Sequence, residues 1–164
     1  RGLRHFACPV RMTDMANRTL PSPLGPINVT EAGGAITALA WGAGGADCTP
    51  LLERAEAQLR SYFAGGTDAF DLPLRIAGSD LQRAVCARMQ AIPHGETVTY
   101  GDIGRHLGVP AQAVGQACGR NPIPILIPCH RVLGAQGLGG FSARGGVETK
   151  VWLLRHEGAA GLLI

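Results

Sequence analysis

No apolar run in this chain approaches the ~20 residues that a membrane-crossing helix needs, so no such span is expected. Residues 1–19 mix Arg, His, Pro and Asp and contain no apolar h-region, so no secretory signal is expected there. The first residue is Arg rather than Met, and the natural start is expected upstream of it. The five cysteines, Cys8, Cys48, Cys86, Cys118 and Cys129, form no CxxC pair. An odd, scattered set argues against a disulfide framework and for reduced thiols, hence for the cytoplasm. Without a short-spaced Cys/His cluster, no metal site is expected; Cys8, Cys48 and His5 are thin grounds for one. Lysine is nearly absent, Lys150 being the single one among 15 basic residues. No internal repeat or low-complexity tract interrupts the chain.

What is present is a globular composition. Across 164 residues, 46% are hydrophobic and 16% charged, which excludes a disordered or fibrous chain. The length allows one ordinary domain or two small ones. The net charge of +3 is uneven: residues 1–71 carry six Arg against seven acids, and residues 72–164 carry eight Arg and Lys150 against five acids. A basic excess in one half is weak evidence for a polyanion partner there.

Residues 1–19 have no readable role. Pro21 to Pro26 make a rigid, turn-rich opening. Ile27, Val29, Ile36, Ala38 and Ala40 alternate around Ala32-Gly33-Gly34, which predicts a β-hairpin with further strand near Trp41. Thr49 reads as an N-cap with Pro50 at the first helical position. Leu52, Ala55, Leu59 and Tyr62 or Phe63 then recur at helical spacing until Gly65-Gly66. Phe70 to Leu74 is a last strand or a linker, and Pro73 forbids a central position. Residues 20–75 thus form a small α/β unit.

From Ser79 the texture is helical. Leu81, Val85, Cys86 and Met89 share a face; Thr99 and Asp102 resemble a capping box; Gly108 ends one short helix and Pro110 starts another. Two short helices split by Gly108-Val109 point to a helix-turn-helix. In the second, Gln112, Gln116 and Arg120 lie on one face, with Ala111, Ala113, Gly115, Ala117 and Gly119 between them. Such a helix could approach a nucleic-acid backbone closely; equally, small residues could simply pack it on its neighbours. Ile123 to Ile127 reads as extended and buried, delivering Cys129-His130-Arg131 from the interior. Gly134, Gly137, Gly139 and Gly140 make a wing-like loop. Val147, Val151 and Leu154 define a last helix, with His156 and Glu157 in its final turn.

Cys129 beside His130 invites a nucleophile. An ordinary thiol with a pKa of ~8.5 is mostly protonated at neutral pH, and a base or Arg131 would raise the thiolate fraction. A buried core cysteine is the bland alternative, and it is the one expected for Cys86 and Cys118. Adjacent residues point apart, so a contact between Cys129 and His130 requires a bridging water or a turn.

The segment Asn121-Pro122-Ile123-Pro124-Ile125-Leu126-Ile127-Pro128-Cys129-His130-Arg131-Val132 resembles the active-site segment of the O6-alkylguanine-DNA alkyltransferases, the methylated-DNA–protein-cysteine methyltransferases. Gly95 to Tyr100, Gly140-Phe141-Ser142 and Trp152 to Gly158 are similar to three further blocks of that family, in the family's order. The likeness is specific over residues ~79–160 and weaker over ~20–75.

The resemblance implies an α/β N-terminal domain (ribonuclease-H-like) over 20–75. It also implies a mainly α C-terminal winged helix-turn-helix domain over 79–164. It implies single-turnover direct-reversal repair of O6-alkylguanine, with O4-alkylthymine as a second candidate substrate. No cofactor is called for, and the partner is alkylated double-stranded DNA, bound by a monomer through the minor groove. Cys129 would take the alkyl group. His130 would act through water as its base and Glu157 would orient His130. Tyr100 would donate toward the purine, and Asn121 would hold the active-site turn. Ser142 would offer a donor near O6, and the carbonyls of Cys129 and Val132 would read the guanine amino group. Ala111, Gln112, Gly115, Gln116, Arg120, Arg131 and Phe141 complete the substrate- and DNA-contacting set. Family members often place an Arg where Gln112 stands; Gln is neutral and shorter, which weakens its hold on DNA. The competing readings are a protein that flips alkylated bases without repairing them, and a Cys–His hydrolase.

Overall fold

The computed structural model describes residues 15–141 and 145–159. Ser142 and the whole of residues 1–14, including His5 and Cys8, lie outside them.

Three antiparallel strands open the fold in the order β1(Met15–Leu20), β2(Ile27–Ala32), β3(Ala35–Trp41). The expected hairpin is β2–β3, paired from Ile27 opposite Trp41 to Ala32 opposite Ala35. Strand β1 begins inside the segment to which the sequence assigned no role. Its sequence MANRTL buries only Ala16 and Leu20, so it lacks the every-second-residue pattern that marks a strand. One face of this sheet is covered by α1(Pro50–Phe63). Thr49 caps that helix by accepting from the Leu52 N–H at 3.0 Å, with Pro50 at its first position. Leu52, Ala55, Leu59 and Tyr62 point inward and are fully buried. Phe70 to Leu74 adds only a single parallel bridge, Leu74 to Ile36, rather than a strand.

The second half is helical. α2(Asp80–Gln90) is capped by Ser79 and buries Gln82, Val85, Cys86 and Met89. A two-residue strand β4(Val98–Thr99) leads into α3(Tyr100–Leu107), and α4(Ala111–Gly119) follows after Gly108. The capping box of Thr99 and Asp102 is complete in both directions. β4 pairs in parallel with β5(Val132–Leu133), which follows directly on the 3₁₀ turn of Cys129–Arg131. α5(Val147–His156) closes the described fold.

Two local expectations are corrected. Ile123 to Ile127 is buried but is no strand: it folds as a tight turn in which Pro124 and Ile127 bridge and Ile125 takes φ +71°. Prolines at 122, 124 and 128 remove the donors that a ladder would use. In α5 the inward face is Thr149, Lys150, Leu153 and Leu154, while Val147 is exposed. A lysine inside the core is what hid that register from a hydrophobicity pattern. The expectation of reduced thiols also fails at Cys48, which is disulfide-bonded. Cys86, Cys118 and Cys129 are free and buried.

Candidate active site and nucleic-acid interface

The site grows from a turn that its own side chains hold. The Asn121 side chain donates to the Ile127 carbonyl at 2.8 Å and accepts from the Ile123 N–H at 3.0 Å, closing the segment into a loop. That loop feeds a single 3₁₀ turn, Cys129–Arg131. Cys129 is 7% exposed, and it lines a cavity of about 420 Å³ with Tyr100, Gly115, Cys118, Gly119, Gly140 and Phe141. A cavity of that size falls in the range of small-molecule sites, ~300–1,000 Å³. Burial pushes the Cys129 thiol up to about 11, while a hydrogen bond with Asn121 and the charge of Lys150 pull the other way.

Behind the turn, His130, Arg131 and Glu157 are buried together. His130 Nε2 lies 2.9 Å from Glu157 Oε2. Arg131 donates from Nε to Oε1 at 2.8 Å and from Nη2 to Oε2 at 2.9 Å, and from Nη1 to the Ile92 carbonyl at 2.6 Å. The Tyr62 hydroxyl donates to Oε2 as well, at 2.7 Å. Burial would raise the Glu157 carboxyl, but the hydrogen bonds and charges of Arg131 and His130 outweigh it and hold it far below the usual range. An ionised carboxylate is acceptor-only, so Nε2 of His130 carries the proton and Nδ1 keeps a lone pair. Nδ1 is buried and has no partner among the described residues. Burial also lowers the imidazole pKa, against the pull of Glu157, which favours the neutral ring that a base requires.

Lys150 forms the other wall. It is fully buried and donates to the carbonyls of Val132 at 2.6 Å and Gly140 at 3.2 Å. Its ammonium stands 5.7 Å from the centre of the Tyr100 ring. Burial lowers it to about 8, opposed by Cys129 and Cys118. Burial raises Tyr100 to about 12, and its hydroxyl donates to the Gly140 carbonyl at 3.4 Å. A β-carbon on Gly139 would stand 2.8 Å from the Tyr100 ring, and Gly139 has φ +71°, so only glycine lets this loop close on the tyrosine.

Beside the cavity runs a groove of about 750 Å³, sharing Tyr100 and Gly115 with it and lined by Thr99, Asp102, Arg105, Ala111, Gln112 and Gln116 among others. Gln112 and Gln116 of the polar stripe of α4 therefore face a concavity that shares its lining with the one holding Cys129.

Two family models divide the chain. Residues 80–159 match the 6-O-methylguanine DNA methyltransferase DNA binding domain, and residues 15–76 match the ribonuclease-like domain of the same proteins. A methylated-DNA–protein-cysteine methyltransferase of Mycobacterium tuberculosis is 40% identical over 151 residues, covering 85% of this chain and 90% of the relative. The chain belongs to the methylated-DNA–protein-cysteine methyltransferase family. A relative of the same name from Methanosarcina acetivorans is 45% identical over 112 residues, 66% of this chain and 70% of the relative. The crystal structure of Mycobacterium tuberculosis OGT in complex with DNA superposes with a TM-score of 0.79 at 39% identity, covering 88% of this chain and 93% of that one. The fold is accordingly the two-domain one of this methyltransferase family, a ribonuclease-like domain followed by a helical DNA-binding domain.

Of the residues singled out in the sequence of this family member, Cys129, Tyr100, Gly115 and Phe141 meet around the cavity, while Ala111, Gln112 and Gln116 line the adjoining groove. His130 and Glu157 are paired behind the turn, and Asn121 braces it. Arg120 is exposed at the far end of α4 and lines neither concavity. Ser142 lies outside the described residues.

Arg131 is a correction. Expected among the DNA-contacting residues, it is 6% exposed, and its guanidinium is taken up by Glu157 and the Ile92 carbonyl. The Val132 side chain is buried too, and its carbonyl already accepts from Lys150. Lys150 and Tyr62 escaped the sequence reading. The only signal for Lys150 was its being the sole lysine, between Thr149 and Val151 on a helix that packs; Tyr62 looked like an ordinary core aromatic.

Proposed function

We propose that this protein repairs O6-alkylguanine in duplex DNA by moving the alkyl group irreversibly onto the Sγ of Cys129. The observation that carries the reading is a cysteine lining a cavity of about 420 Å³, with a histidine paired to a carboxylate behind it and a groove along α4 in front. The methyltransferase relatives, and the DNA complex of the mycobacterial one, support it.

In the reaction, the Cys129 thiol gives its proton through a water to Nδ1 of His130, and Sγ attacks the O6-bound carbon. The S–C bond forms as the C–O6 bond breaks, and the electron pair goes to the purine. Tyr100 donates a proton or hydrogen bond as that charge develops. Glu157 holds His130 in its Nε2–H tautomer, by the relay logic of a hydrolase triad. The ammonium of Lys150 favours the thiolate and, through Val132 and Gly140, fixes the carbonyls at the cavity wall. The thioether product is inert to water, so each molecule acts once.

Base flipping is required because the alkyl carbon is out of reach inside the stack, at a cost of a few kcal/mol in lost stacking. In this reading α3 and α4 are the helix-turn-helix and residues 134–140 the wing, within a domain over 79–164 that follows one over 20–75. Gln112 enters the minor groove to take the flipped base's place, and Ala111, Gly115, Gln116 and Arg120 follow the backbone. Ser142 stands near O6, and the Cys129 and Val132 carbonyls read the amino group. The acting species is a monomer in the cytoplasm, and O4-alkylthymine is a second substrate.

The test is an equimolar incubation with alkylated duplex DNA followed by intact-mass analysis. The expected result is one added alkyl group, mapped to Cys129 and absent from Cys129→Ser. Many turnovers per molecule would instead make the protein a hydrolase. Tight binding with no gain of mass would make it a reader of damage.

A further inference from the structure

We infer that Tyr62, which comes from the N-terminal domain, is a positioning residue of the active site, its hydroxyl setting how strongly Glu157 holds the His130 proton. This rests on the alkyl-transfer reading above and deepens it. Tyr62 sits in the last turn of α1 and is 1% exposed. It reaches across 95 positions of sequence to donate at 2.7 Å to Oε2, the oxygen that also faces His130 Nε2 at 2.9 Å. A phenol aimed at a carboxylate oxygen draws charge from it, so the oxygen is a weaker partner for the imidazole proton. Without that donor the carboxylate would stabilise imidazolium, and His130 would hold a proton at the pH where it must accept one.

The contact is built rather than incidental. The Tyr62 ring is held edge-on by Phe63, with centroids 5.2 Å apart, and by His156 at 5.1 Å, and it is tilted against Phe70 at 5.3 Å. The Tyr62 backbone carbonyl faces His156 Nε2 at 2.6 Å, tying α1 to α5 one residue before Glu157. The groups around the pair, on every packed element, are Arg131 on the carboxylate, Lys150 acting on His130 through space, and His156 and His94 against the Tyr62 ring. Asp68 stands 3.8 Å from His94 on the outer side.

The experiment compares the full chain with Tyr62→Phe, which keeps the ring and removes only the hydroxyl. Two quantities are followed against pH: the ¹⁵N resonances of each histidine ring, and the rate of alkyl transfer from duplex DNA. In the unaltered chain His130 should appear as the neutral Nε2–H tautomer. In Tyr62→Phe its half-protonation point should rise by about one pH unit, a tenfold change in its proton equilibrium. The acid limb of the rate profile should move with it, so that the variant is slow at low pH and normal at high pH. Separate resonances keep His94 and His156 from being mistaken for His130.

A His130 titration unmoved in Tyr62→Phe, or a rate lowered equally at every pH, overturns the inference. Phe63→Leu loosens the same aromatic cluster without touching the carboxylate. It should lower the melting temperature and leave His130 where it was; an equal shift there would assign the effect to packing and not to the hydroxyl. Should the unaltered chain transfer nothing, the repair reading fails, while the histidine titration still decides the role of Tyr62.

Discussion

Oε2 of Glu157 faces three groups at once, Tyr62, His130 and Arg131, while Oε1 takes the remaining guanidinium bond. A carboxylate so loaded is structural as well as chemical. Replacing it by an amide leaves the Arg131 charge buried without its partner, and breaking a buried pair in this way costs about 3–5 kcal/mol. Glu157→Gln is therefore expected to lower the urea midpoint strongly. The pH dependence has a definite sign. The Glu157 carboxyl is depressed in the fold, so its stabilisation is complete above the ordinary value of 4.5 and is lost as the pH falls below it. Urea titrations at several pH values from neutrality to the acid range should show a larger loss in the unaltered chain than in Glu157→Gln, where Glu56 and Asp102 remain as depressed carboxylates. Parallel curves for the two would mean that the carboxylate is not depressed.

Between the elements, the decisive approach is that of α3 to the turn before α4. A β-carbon on Gly104 would stand 2.6 Å from the Val109 carbonyl and 3.4 Å from the Ala111 N–H. Gly104→Ala must push the two helices apart, and overpacking of that kind costs about 1–3 kcal/mol. We expect a lower melting temperature together with weaker binding of duplex DNA by fluorescence anisotropy; normal values of both would show that the turn has slack. Much at this scale was readable in advance. Thr49, Ser79, Thr99 with Asp102, and Gly108 mark helix ends through their own local bonds, so α1, α2 and α3 could be bounded without knowing their neighbours. The active-site block could be found because its residues are contiguous. The rest was fixed by tertiary context. β1 is an edge strand with one polar face, held by pairing with β2. Ile125 accepts a left-handed backbone because prolines and Asn121 leave its turn no other course. Tyr62 and Lys150 carry no local sign that their polar atoms meet partners far along the chain.

At the scale of the molecule, the described residues share one hydrophobic core running from the sheet through α1 to α2, α4 and the Cys129 turn, so the two domains share buried contacts. Its attraction for DNA must come from a modest excess of +3, which is +4 over residues 72–164 against −1 over residues 1–71. Each phosphate neutralised steepens the salt dependence of binding by about 0.9 in log–log slope. Gln112, exposed on the groove beside Tyr100, is the place to add one. Gln112→Arg is expected to tighten duplex binding at low salt and to steepen that slope by about one contact; an unchanged slope would place residue 112 away from the backbone. The burial of Lys150 reaches further still. With the chain's only lysine enclosed beside Cys129, its outward positive charge is carried by guanidinium groups and, in acid, by imidazoles. Acetylation has no surface ε-amine to neutralise, and alkaline media below the guanidinium range of ~12 leave those arginines charged. The pull on a polyanion is thus a fixed property of this chain, one that lysine modification cannot dial down.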